Sequence, residues 1–92
     1  MKQKFRKLSF VKVCDEMPQS MSHFDSGFDA VIEGTYSQIY GGKDIYNYSL
    51  FKIEDDKIVD SISWYEEEQL TLSESQDRDK AEDMIEEYMI DI

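Results

Sequence analysis

The sequence predicts a mainly β fold: a small five-stranded barrel followed by one amphipathic C-terminal helix. Three observations lead there. Five short segments with partial apolar alternation run between residues 5 and 72. Turn-forming residues separate them, and most connections are tight, which suits a small barrel. The last twenty residues then switch period, with Ala81, Met84, Ile85, Tyr88, Met89 and Ile92 recurring at steps of three or four. That spacing makes one apolar stripe on a helix. Ninety-two residues suit a single domain over 1–92, with the barrel at 5–72 and the helix at 75–91. Such a chain has little room for a deep substrate cleft.

The elements follow in order. Residues 5–13 form the first strand, in which Leu8 and Phe10 share one parity and Val11 and Val13 the other. A bulge, or a strand buried on both faces, explains that pattern. Residues 14–27 carry Pro18, Ser20, Ser22, Ser26 and Gly27 and make a long loop. Residues 28–36 are the second strand, with Phe28, Ala30 and Ile32 opposite Asp29, Val31 and Glu33. Gly41-Gly42 breaks the chain before a third strand at 45–53. There the Ile45, Phe51 and Ile53 set is expected in the core, and the Tyr46, Tyr48 and Leu50 set outward. Glu54-Asp55-Asp56-Lys57 is a tight polar turn into a fourth strand at 58–65, so strands three and four form a hairpin. Glu66-Glu67-Glu68 makes a short turn, and Leu70-Thr71-Leu72 a fifth strand. Ser73 or Ser75 caps the helix, whose early acids Glu74, Asp77 and Asp79 suit its positive N-terminal end.

Charge is skewed along the chain. The net charge is −11, yet residues 1–13 carry five bases (Lys2, Lys4, Arg6, Lys7, Lys12) and no acid. The other five bases face all twenty-one acids, a net of −16. From Ser73 to Ile92 there are eight acids and two bases. A surface this negative repels nucleic acid and attracts basic partners; the plainer alternative is that the acidity only confers solubility. One cysteine, Cys14, excludes an internal disulfide and fits a reducing cytoplasm. The basic start lacks the apolar region of a signal peptide, and no apolar run approaches the roughly 20 residues of a membrane helix.

Two stretches carry a family resemblance. Trp64-Tyr65-Glu66-Glu67-Glu68-Gln69-Leu70-Thr71-Leu72 resembles the closing segment of an SH3-like barrel, where an aromatic strand end leads through one helical turn into a short last strand. Asp29-Ala30-Val31-Ile32-Glu33-Gly34-Thr35-Tyr36, followed by Tyr40-Gly41-Gly42, is similar to the second strand and next loop of such barrels. Over residues 8–72 the chain resembles small SH3-like barrel proteins of phages and other mobile elements. The resemblance implies an SH3-like barrel with the helix as an addition. The paired tyrosines and last-turn proline of signalling SH3 domains are absent, so proline-peptide binding is not implied.

No constellation points to catalysis. Glu66, Glu67 and Glu68 are adjacent and solvated, whereas general acid–base work needs a carboxyl in an apolar pocket. Asp77-Arg78-Asp79 fails as a calcium loop, because Ala81, Glu82 and Tyr88 fall where a ligand, a glycine and the closing acid belong. His23 has no histidine or cysteine at metal-ligand spacing. Gly41-Gly42 lacks the Lys-Ser ending of a phosphate loop. Neither metal nor cofactor is expected.

These features favour a non-enzymatic binding module, an inhibitor or adaptor that docks on a basic, nucleic-acid-binding protein surface and not on nucleic acid or membrane. Phage anti-defence proteins, including anti-CRISPR proteins, are often small and acidic, so the resemblance extends to a nucleic-acid mimic of that kind. The expected contact residues are the acids Glu66, Glu67, Asp79, Glu82, Asp83, Glu86 and Glu87, with Tyr40, Tyr46 and Tyr48 as aromatic anchors. The tyrosines serve core packing in the simpler reading. A second function class is a small-ligand sponge or small enzyme with a pocket of tyrosines and His23. A third is a structural subunit that pairs as a homodimer through the helix stripe.

Overall fold

A computed structural model describes residues 3–90. Strands β1 (Phe10–Val13), β2 (Asp29–Thr35), β3 (Asn47–Glu54), β4 (Lys57–Glu66) and β5 (Leu70–Leu72) form one antiparallel sheet, ordered β4-β3-β2-β1-β5. A short helix, α1 (Tyr36–Tyr40), follows β2, and a longer one, α2 (Arg78–Ile90), follows β5. Single 3-10 turns lie at Gln19–Met21 and Glu67–Gln69. The sheet is open, which corrects the expectation of a closed barrel. β4 and β5 are its two edges, and β5 is only three residues long.

The sheet buries side chains on both faces. On one face Val11, Val13, Ala30, Ile32, Tyr48, Leu50, Tyr65 and Leu70 pack beneath Phe5, Met21 and Phe28 from the N-terminal segment and the 14–28 loop. On the other, Val31, Phe51 and Ile58 pack against Ala81 and Met84 of α2, with Leu8, Phe10, Ile53, Ile85 and Tyr88 around them. The first strand is therefore two-sided, as its mixed parity predicts. It is also shorter than expected: Leu8 sits at φ 70°, which turns the chain before Phe10 and frees Phe5 to pack edge-on against Tyr48, centroids 5.6 Å apart.

Two-sided burial also corrects the assignment along β3 and β4. Tyr48 and Leu50 are fully buried and Phe51 nearly so, on opposite faces, while Ile45 and Ile53 are only half-buried. β4 carries a register shift near Val59 and another opposite Ser49. Each shift reverses which face the following residues meet. Ile58 consequently joins the helix side and Ile62 the loop side, although they share parity. The hairpin itself forms as expected. Glu54 pairs with Lys57, and Asp55 and Asp56 take φ of 51° and 61°, the positive pair that a type I′ hairpin turn requires.

Helix α2 begins later than the serines imply. Asp77 caps it: its Oδ1 accepts from the Lys80 N–H at 3.0 Å, and its carbonyl from the Ala81 N–H at 3.0 Å. The delay has a local cause. The Gln76 carboxamide donates to the Phe10 carbonyl (2.7 Å) and accepts from the Phe10 N–H (2.8 Å), which holds residues 73–76 alongside β1. Asp91 and Ile92, the expected helix end and last stripe residue, lie outside the described residues, as does Lys2.

Met84→Asp would set an unpaired carboxylate between α2 and the sheet. It should cost about 3 kcal/mol and lower the melting temperature by more than about 10 °C; thermal melts followed by circular dichroism check it. Burial pushes the Tyr48 hydroxyl upward and the Tyr65 hydroxyl up to about 12, from an ordinary 10.0. An acid whose folded value is raised keeps its full contribution below the unfolded value. Stability should therefore fall as pH rises from 10 toward 12, because the unfolded chain ionises first. The fall should be shallower in Tyr65→Phe, read as denaturation midpoints across that range.

Candidate functional site

Helix α1, which follows β2, and the end of β4 together carry an aromatic cluster in which Trp64 is half-buried against the helix. At the end of β2, Thr35 begins α1: its hydroxyl accepts from the Gln38 N–H (3.2 Å), and the Gln38 side chain accepts from the Thr35 N–H (2.9 Å). This reciprocal cap makes a helix of only five residues worth forming. The helix sets Tyr36 and Tyr40 four positions apart, on one side. Trp64, near the end of β4, completes a triangle. The ring centroids are 5.0 Å apart for Tyr36–Trp64, 5.1 Å for Tyr36–Tyr40 and 5.9 Å for Tyr40–Trp64. Tyr36 is 41% exposed, Tyr40 70% and neighbouring Ile39 37%. Spacings this short leave no hole between the rings, so the cluster is a platform and not a cage.

Acids border it. Glu66 lies two residues beyond Trp64 on the same strand, hence on the same face. The Glu33 carboxylate, on β2, accepts from the Ser49 hydroxyl on β3 and the Ser61 hydroxyl on β4, at 2.6 and 3.0 Å. Asp44 anchors the loop between α1 and β3. Its carbonyl accepts from the Ser37 N–H at 2.8 Å. Its carboxylate accepts from the Asn47 side chain and from the N–H groups of Tyr46 and Asn47, at 2.9–3.1 Å. The Asn47 side-chain bond foremost, then the Tyr46 N–H, lowers the Asp44 carboxyl below its ordinary value. Across segments 33–47 and 60–69 there are six acids and one base, Lys43.

The expected contact residues divide three ways. Tyr40 and Tyr46 are exposed. Tyr48 is not, which corrects its assignment as an anchor: it is fully buried, and its hydroxyl accepts from the Lys4 and Phe5 N–H groups, both at 3.1 Å. Glu66 and Glu67 lie at the platform end of β4, where the Glu67 N–H donates to the Tyr46 carbonyl. Asp79, Glu82, Asp83, Glu86 and Glu87 are exposed on α2, which meets β4 at its other end. Glu87 sits 4.0 Å from Lys57, nine residues before Glu66, a separation of up to about 30 Å along a strand. The acids thus form two patches and not one. Glu82 also pairs with Arg78, and Lys80 with Asp56. The helix stripe is spent on the sheet, which leaves Met89 and Ile90 exposed for any pairing between copies.

Tyr36 and Trp64 complete the cluster and are not among the expected contact residues. The signal was present in Thr35-x-x-Gln38, a capping box that starts a helix where a strand end was read.

The remaining clefts are shallow. His23 is exposed, edge-on to Phe24, in a cleft with Asp25, Asp60, Ile62 and Ser63 that contains no tyrosine. A cleft of about 260 Å³ between α2 and the sheet contains Asp29, Asp56, Asp77 and Lys80. Among the described residues, no three of His, Cys, Asp or Glu are placed to hold a metal ion. Cys14 is half-buried and donates its thiol to the Glu16 carbonyl. No helix among the described residues is long and apolar enough to cross a membrane.

Asp44→Ala should loosen the loop that carries Tyr46 and lower the melting temperature by a few degrees at neutral pH. The folded value is lowered, so the stabilisation is present above the ordinary carboxyl value of 3.8 and lost as pH falls below it. The gap between parent and variant melts should therefore narrow in acid.

Compared with protein-family models, curated proteins and solved structures, the chain matches none.

Proposed function

We propose that this protein is a non-enzymatic binding module that docks on a basic protein surface, one that otherwise holds nucleic acid. The observation that carries the reading is the Tyr36–Tyr40–Trp64 platform, its two tyrosines exposed, on segments where six acids meet one base. Rigid aromatics supply contact area at low entropic cost, and bordering carboxylates stand in for phosphates opposite Arg and Lys. An inhibitor of the phage anti-defence kind, acting in the cytoplasm, is the biological form this reading takes. An SH3-like ancestry is part of the same proposal. It is supported by the strand order, with β5 returning beside β1, and by the helical turn at Glu67–Gln69 between β4 and β5.

The separation of the two acidic patches makes the reading testable by halves. A basic partner recovered from lysate would be bound to the parent, to Glu66→Lys/Glu67→Lys and to Glu82→Lys/Glu86→Lys/Glu87→Lys, each at low and high salt. The helix triple should fold, because the exposed Glu82–Arg78 and Glu87–Lys57 pairs contribute about 0–1 kcal/mol each; Glu66 caps the Glu67–Gln69 turn, so a parent-like melt of the other variant is confirmed first. The first pair should weaken binding at least tenfold. The helix triple should mainly slow association, since distant charge acts through steering. Affinity indifferent to salt and to both variants would mean that the acidity serves solubility alone.

A further inference from the structure

We infer that the Tyr36–Tyr40–Trp64 platform takes an arginine side chain of the partner, in preference to lysine. This rests on the binding-module reading above and names the group that fills its centre.

The geometry argues for a flat cation. The three rings touch one another at 5.0–5.9 Å, so an ammonium group finds no enclosure among them. What they present outward is a faceted aromatic surface, with Tyr40 70% exposed at its rim. A guanidinium stacks on such a face through its own plane and still directs its N–H groups sideways. Carboxylates are close along the chain: Glu66 lies two residues beyond Trp64 on β4, and Glu33 lies on β2 just before Thr35, where it accepts from the Ser49 and Ser61 hydroxyls. A lysine ammonium is a strongly hydrated point charge and gains less from an open face. The local charge of six acids against Lys43 disfavours both a nucleic-acid base and a second copy of this acidic chain.

Trp64 is the chain's only tryptophan, so its fluorescence reports on this place alone. The experiment titrates the intact protein with two blocked hexapeptides, one alternating Gly and Arg, the other Gly and Lys, and with a thymidine oligonucleotide. Affinity is read independently by calorimetry. The Gly-Arg peptide should change Trp64 emission and bind at least tenfold tighter than the Gly-Lys peptide. Tyr40→Ala should remove most of that preference. Because Tyr40 is largely exposed, the variant should melt like the parent, and a parent-like melt is confirmed first. Glu66→Gln should weaken both peptides while leaving the Arg preference in place. Equal calorimetric binding of both peptides with unchanged Trp64 emission would overturn the arginine assignment and leave the basic-surface reading standing. Emission changes with the oligonucleotide and not with the peptides would overturn both. Absence of binding by all three probes would overturn the assignment alone, since the reading above has its own test with a whole partner.

Discussion

The sheet must be covered twice. β2 and β3 bury residues to both sides, Ile32, Tyr48 and Leu50 toward the loop layer and Val31 and Phe51 toward α2. An antiparallel sheet usually spares one face for water; a strand that does not needs a second layer. Here the second layer is built from unequal parts, thirteen helical residues on one side and an irregular loop on the other. An irregular loop is a poor cover unless something fixes it. Two buried tyrosines do so. The Tyr65 hydroxyl donates to the Asp25 carbonyl at 2.9 Å, and the Tyr48 hydroxyl accepts from two N–H groups of the N-terminal segment. Each ring fills the core while its polar tip secures the cover above it.

The platform is what remains when that cover runs out. α2 spans only the part of its face that contains Val31, Phe51 and Ile58. Further along, Glu33, Ser49 and Ser61 form a polar seam, and at the end of β4 Tyr36 and Tyr40 stand exposed against a half-buried Trp64. Apolar burial at one end and aromatic exposure at the other are thus two consequences of one short helix.

The features legible in the sequence are those that local chemistry decides. Asp55-Asp56 signals its hairpin because short polar residues tolerate positive φ. The 81-84-85-88 spacing signals α2 because one face must be apolar. Illegible features depend on pairing. Nothing local in Ile58 to Trp64 announces the two register shifts, which set Ile58 and Ile62 on opposite faces although they share parity. Nothing local in Tyr48 distinguishes it from Tyr46, yet one is buried and the other 40% exposed. Sheet closure is likewise a property of strand curvature and partner length, which composition does not encode. For the site, the acids were visible as residues but not as two patches, since only β4 sets the distance between them.

The Gln76 clasp bears on the order in which the molecule can assemble. It joins positions 66 residues apart, and the β1–β5 ladder joins positions about sixty apart. The β3–β4 hairpin, by contrast, closes on a two-residue loop. Local pairings form early and distant ones late, because loop closure must come first. On the ribosome, a chain that has emerged only through residue 69 can form the β1–β4 meander but leaves Val31, Phe51 and Ile58 bare. The acidic tail that follows brings both the missing edge strand and the missing cover. Its charge therefore arrives at the stage when the half-built sheet most needs repulsion from its neighbours.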